Sequence, residues 1–151
     1  MIRLERTSSE NLDFIELVKL LDKDLAISDG EDHEFYHQYN GIDTIKYALV
    51  AYNDDIPVAC GALKQFNDAT MEIKRMYTLP KERGKGIATK VLTELEHWAK
   101  QLGFKRCILE TGKKQPQAIS LYKKTGYKII KNYDQYAGIE NSVCFEKLLS
   151  V

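Results

Sequence analysis

The sequence predicts a mixed α/β domain built on a central, mostly antiparallel sheet of about seven strands, with about four helices on its two faces. Three features predict it. Apolar, alternating runs follow one another between residues 47 and 79 with only short turns between them, which favours an antiparallel meander. The hydrophobic period changes from strand-like to helical at Gly84. Beyond that point, short apolar runs alternate with amphipathic stretches.

Residues 2–7 alternate weakly and read as an edge strand. Ser8 or Ser9 is placed to cap the first helix, with Glu10 and Asp13 near its positive end. Phe14, Leu17, Val18, Leu21 and Leu25 repeat at helical spacing until Ser28-Asp29-Gly30 breaks the pattern. A short polar-aromatic segment, Glu31 to Asn40, supplies a further short helix and ends at Gly41. Strands follow at Tyr47–Tyr52, Ile56–Phe66 and Thr70–Leu79, separated by Asn53-Asp54-Asp55 and Asn67-Asp68, and Pro80 stops the third. From Gly84 onward, Ile87, Ala88, Val91, Leu92, Leu95, Trp98, Ala99 and Leu102 make one helical stripe that Gly103 closes. Cys107-Ile108-Leu109 is a buried strand. Pro116 opens a helix whose face carries Ala118, Leu121, Tyr122 and Thr125, and Gly126 ends it. Tyr127–Ile130 and Val143–Leu149 are the last two strands. Without a linker, repeat or low-complexity segment, residues 1–151 read as a single domain.

Lys plus Arg and Asp plus Glu both number 22, so no net field favours a polyanion, and neither nucleic acid nor an anionic membrane is an expected partner. No apolar run is long enough to span a bilayer. The three cysteines, Cys60, Cys107 and Cys144, lie in apolar runs with no CxxC spacing. They read as reduced core residues of a cytoplasmic protein rather than as a catalytic thiol.

The chemistry concentrates in Arg83-Gly84-Lys85-Gly86-Ile87-Ala88-Thr89, directly after a strand and directly before the long amphipathic helix. The first N–H groups of a helix lack internal partners and carry the positive end of its dipole. With small residues over them, they suit a phosphate or diphosphate, and Arg83 and Lys85 add charge. The spacing is not that of a P-loop, and a meander strand precedes it rather than a βαβ unit. A plain glycine turn before a core helix is the alternative.

The run R-x-x-G-x-A resembles the Q/R-x-x-G-x-G/A signature of the GNAT superfamily of N-acyltransferases. The resemblance continues through Gln115-Pro116-Gln117-Ala118-Ile119-Ser120-Leu121-Tyr122-Lys123-Lys124-Thr125-Gly126-Tyr127, which is similar to that family's N-x-x-A-x-x-L-Y-x-x-x-G-F/Y segment, with Gln115 in place of its usual Asn. The resemblance implies a GNAT-like fold and an N-acetyltransferase that uses acetyl-CoA as cosubstrate, without a metal. It implies transfer by direct attack on the thioester in a ternary complex. The coenzyme A diphosphate would rest on backbone N–H groups of residues 83–89. The pantetheine arm would pair with Met76, Tyr77 and Thr78, where that strand and the next, 105–111, splay apart. The Met76 N–H would hold the oxyanion, Gln115 would offer its amide, and Tyr122 would protonate the departing thiolate. A phenol, with its unperturbed pKa near about ten, keeps its proton at neutral pH. Plain core packing is the alternative for Tyr122. Relatives of this family often dimerise, which implies a homodimer.

Glu72 stands eleven residues before Arg83, the spacing of the base glutamate in one branch of that family. Against this stand a salt bridge with Lys74 or a neighbouring strand, and the water chain that many relatives use as base. Glu34, Phe35 and Tyr36, with Glu31, Asp32, His37 and Tyr39 around them, suit an amine-bearing small molecule or peptide through charge and cation–π contacts, and Tyr133 and Tyr136 would line the same cleft. A non-catalytic acyl-CoA sensor of the same fold is the rival reading. His33-Glu34-Phe35-Tyr36-His37 is a literal H-E-x-x-H, yet it sits between Gly30 and Gly41 rather than on a long apolar-backed helix, and His97 lies elsewhere. A zinc hydrolase is therefore the weaker reading.

Overall fold

The computed structural model describes residues 1–30 and 45–150. Seven strands form one sheet: β1 (Ile2–Thr7), β2 (Tyr47–Asn53), β3 (Ile56–Asn67), β4 (Thr70–Thr78), β5 (Arg106–Gly112), β6 (Lys128–Ile130) and β7 (Ser142–Leu148). Their order is β1-β2-β3-β4-β5-β7-β6. Every neighbouring pair is antiparallel except β4–β5. The helices are α1 (Leu12–Asp29), α2 (Ile87–Gln101) and α3 (Pro116–Lys124). Three helices thus stand among the described residues where the sequence suggested about four; the segment expected to hold another, 31–40, lies outside them.

The start of α1 differs from expectation. Asn11, not Ser8 or Ser9, caps the helix, its side chain accepting the Phe14 N–H at 2.9 Å. The Ser8 hydroxyl instead accepts the Glu10 N–H at 3.3 Å, forming a turn that carries Glu10 ahead of the helix and leaves Asp13 as the acid of its first turn. The helix also runs through Ser28 to Gly30, whose positive φ ends it. Both later helices close as the sequence suggests. Gly103 and Gly126 are left-handed, and Phe104 N–H to Ala99 and Tyr127 N–H to Tyr122 complete the same capping pattern at 3.0 and 2.9 Å. Leu102, expected in the α2 stripe, is exposed because it lies in this cap rather than on the buried face.

One core joins α2 and α3 to one sheet face through Val91, Leu92, Leu95, Leu63, Leu109 and Phe145. Another joins α1 to the opposite face through Phe14, Leu17, Val18, Val50 and Ala62. A small third cluster, Tyr136 and Cys144 with Ile130, Tyr133 and Ile139, lies under the β6–β7 connection.

The middle of the sheet is irregular in a way that positions everything else. Ala62 pairs with Lys74 and Cys60 with Tyr77, so Gly61 alone opposes both Arg75 and Met76. This is a β-bulge, and Arg75 takes the left-handed conformation (φ 59°) within it. On the other side, β4 pairs with β5 only at Thr70–Arg106, Met71–Cys107 and Glu72–Ile108. The strands are tied at that end by the Lys105 and Arg106 N–H groups on the Ala69 carbonyl, at 2.8 and 3.1 Å. β4 then runs to Thr78 and β5 to Gly112 with no further pairs between them. The sheet is therefore split from residue 73 onward.

Gly61 is required by space. A Cβ there would meet Met76 Sδ at 2.7 Å, Leu95 Cδ1 at 2.8 Å and Val91 Cγ1 at 3.0 Å. Gly61→Ala should lower stability by about 1–3 kcal/mol, the ordinary result of overpacking, read as a fall in the urea midpoint at constant m-value. All three cysteines are free and buried. Burial pushes the thiols of Cys60 and Cys107 up to about 12 and that of Cys144 up to about 11. The native protein should therefore give no rapid reaction with Ellman's reagent at pH 8, and full reaction of the three thiols in denaturant.

Candidate active site

Two cavities meet where the sheet splits. The larger, about 720 Å³, extends from the residue 83–89 turn between α1 and α3, past Met76, Tyr77 and Thr78. The smaller, about 140 Å³, is reached beyond Met76 and is walled by Glu72, Lys74, Arg75, Glu110 and Tyr136. Leu21, Leu25, Met76, Gln115, Ala118 and Tyr122 line both. The larger lies within the size range of small-ligand clefts.

The turn at the larger cavity has the backbone that the sequence suggested. Gly84 and Gly86 both sit at φ 80°, a conformation other residues adopt only with strain. Gly86 is the N-cap of α2, and no side chain caps its first turn. Gly86, Ile87, Ala88 and Thr89 line the cavity at this helix start. The basic side chains of the turn already have protein partners. Arg83 donates to the Thr78 carbonyl at 2.9 Å, lies 3.4 Å from Asp24 and covers the Tyr77 ring. Lys85 pairs with Glu82 at 2.9 Å. Arg83 thus braces the turn against β4 and α1. Tyr77 is buried in the α1 cluster and also lines the larger cavity.

Tyr122 stands at the junction. Its ring is buried beside Tyr127 and Phe145, with centroids 5.8 Å from each. Burial, then the nearby Glu110 charge, pushes its pKa well above that of an ordinary tyrosine, so its hydroxyl stays protonated. Tyr122 packs in the core and also lines both cavities. Gln115 is at the N-cap of α3, lines both cavities, and makes no side-chain cap bond.

Glu72 is buried on the α1 face of β4. Its Oε2 accepts the Tyr133 hydroxyl at 2.7 Å, and its Oε1 lies 3.9 Å from Lys74 Nζ. The salt bridge considered from sequence exists, but it is buried rather than on the surface, and the carboxylate remains a wall of the small cavity. Tyr133 and Tyr136 meet edge to face at 5.7 Å, and burial raises both phenols, with the Glu72 charge adding to it at Tyr133 and the Glu110 and Glu72 charges at Tyr136. Tyr136 lines the smaller cavity, and Tyr133 packs behind it against Glu72. Glu34, Phe35 and Tyr36 lie outside the described residues, as do His33 and His37. Among the described residues no group of three or more His, Cys, Asp or Glu side chains could hold a metal ion, and His97 is exposed beside Gln101.

Sequence reading missed Arg75 and Glu110, and treated Lys74 only as a partner. Lys74 shares the face of Glu72 by simple alternation, which was visible. Arg75 reaches the cavity only because the bulge resets that alternation.

Comparison with known proteins then supplies context. The sequence profile of the Acetyltransferase (GNAT) family matches residues 14–127. The chain is 33% identical over 112 residues to the uncharacterized N-acetyltransferase YjgM of Escherichia coli, a stretch covering 72% of this chain and 66% of that protein. The chain thus spans about two thirds of that relative's length. A crystal structure described as an acyl-CoA N-acyltransferase, from Klebsiella pneumoniae, superposes with a TM-score of 0.84 at 29% identity, covering 99% of both chains. A GNAT family acetyltransferase from Elizabethkingia anophelis with acetyl-CoA bound shares the fold, with a TM-score of 0.71 at 19% identity over 98% of each chain.

Proposed function

Since the chain belongs to the Acetyltransferase (GNAT) family, we propose that residues 1–151 act as one N-acetyltransferase domain that moves an acetyl group from acetyl-CoA to a primary amine by direct attack. The observation that carries this is the split between β4 and β5, which opens beside Met76 and connects the glycine turn to the small acidic cavity.

In this reading the α2 amides at Gly86, Ile87, Ala88 and Thr89 take the diphosphate, with Gly84 and Lys85 shaping the approach and Arg83 holding the turn in place. The unpaired edge of β4 at Met76, Tyr77 and Thr78 receives the amide-bearing pantetheine arm as a further strand would be received. Gln115 borders the same path from the α3 side. A bulge leaves one residue's backbone outside the ladder, so the Met76 N–H is available to the thioester oxygen as it gains charge. The amine nitrogen bonds to the acetyl carbon while the carbon–sulfur bond breaks. Tyr122 gives its proton to the sulfur. Glu72, alone or through water, takes the proton lost by the amine. Tyr133 and Tyr136 hold the acceptor's side of the cavity.

Coenzyme A release, followed with a panel of amines, tests the assignment. Tight acetyl-CoA binding without turnover on any amine would instead identify a sensor. Tyr122→Phe should lower kcat by roughly 10²–10³-fold while acetyl-CoA affinity stays within about twofold; unchanged turnover would remove the acid role. Because burial raises the Tyr122 pKa, wild-type kcat should show no fall from loss of its proton between pH 7 and 10. Gly86→Glu should weaken acetyl-CoA binding at least about tenfold by adding negative charge at the helix start. Gly86→Ala, which carries the backbone strain alone, should lose much less.

A further inference from the structure

The acceptor cavity holds more charge than a simple amine needs. Glu72 and Lys74 are each 7% exposed and Arg75 is 6% exposed, and all three line it with Glu110. The Arg75 side chain is only 2% exposed. One of its terminal nitrogens pairs with Asp22 of α1. Its Nε is buried with no hydrogen-bond partner among the described residues. A buried guanidinium N–H left unmatched is costly, and an anion arriving beside it recovers that cost. The small cavity therefore has an acidic wall at Glu72 and Glu110 and a cationic one at Lys74 and Arg75.

From this arrangement we propose that the acceptor is a small amine bearing a carboxylate next to its amino group, of the α-amino acid class, with Arg75 and Lys74 receiving the carboxylate. The proposal rests on the acetyltransferase reading above and narrows it. The amino group faces Glu72 and the thioester, and the carboxylate faces Arg75 Nε. A polyamine would bring second and third cations against two buried cations, where repulsion is weakly screened. A plain alkylamine would leave Arg75 Nε as it is. Burial already lowers the pKa of Lys74 below that of an ordinary lysine, despite Glu72; a bound carboxylate would favour its charged form. The chemistry is unchanged: the free amine forms the amide bond, Tyr122 protonates the released sulfur, and the amine's proton passes to Glu72 or water.

The test compares coenzyme A release with a set of α-amino acids, each beside its own carboxamide, and with spermidine. The best amino acid should exceed its amide in kcat/KM by about tenfold or more, and spermidine by more still. In Arg75→Gln that ratio should collapse toward one, through a raised KM for the acid, with acetyl-CoA affinity within about twofold of wild type. Arg75→Lys should restore part of it. Amides or spermidine turned over as well as the amino acids would overturn the proposal while leaving the acetyltransferase reading intact. An equal loss on acid and amide in a folded Arg75→Gln would also overturn it. Release with none of these amines would overturn both. Should Arg75→Gln not fold, the wild-type ratio and Lys74→Gln decide.

Discussion

Three residue pairs hold β4 to β5, and the strands then part. Each is secured on its outer side, β4 by β3 and β5 by the full length of β7. The unpaired inner edges are thus rigidly spaced rather than frayed. Backbone donors and acceptors inside a sheet normally pair, so an open gap between two anchored strands is a standing demand for a ligand with amides of its own. The bulge at Arg75 and Met76 sits at the level where the gap opens. It depends on Gly61, because any side chain there would collide with Met76 and α2. One absent methyl group therefore permits the irregularity from which the two cavities are built.

The charged groups on the α1 face follow from the same break. Glu72 and Lys74 lie on the α1 face of β4, where Leu21 and Leu25 of α1 share their cavity, and the β6–β7 connection reaches Glu72 through Tyr133. Buried ion pairs seldom add net stability, since desolvation offsets their attraction. Two carboxylates and two cations lining one 140 Å³ cavity are the clustering of charge that marks functional sites, which the proposed function assigns to binding and proton transfer.

Much of the fold was legible in the chain. The stripes of α1 and α2, the Asn53-Asp54-Asp55 turn and the glycines at 103 and 126 act locally, and the structure repeats them. Asp54 and Asp55 both take positive φ in a two-residue hairpin turn, as such short polar residues tolerate. Asn11 escaped notice because Ser8 and Ser9 compete for the same role, and only the path of the chain decides among them. The glycine turn was legible because φ 80° at Gly84 and Gly86 leaves a compositional mark. Arg75 was not, because its left-handed φ belongs to the pairing of β3 with β4 and leaves no sign in a run of alternating residues. Strand separation is a relation between distant segments, so no local pattern records it.

The shared wall of the two cavities has an evolutionary reading. Met76, Gln115 and Tyr122 border both cavities, so on the proposed reading a mutation at any of them would alter cosubstrate handling and acceptor choice together. Lys74, Arg75 and Glu110 border only the smaller cavity. Substitution at those positions would leave the lining of the larger cavity unchanged. On the proposed reading, a scaffold partitioned in this way would let descendants exchange one nitrogenous partner for another while inheriting the same carrier.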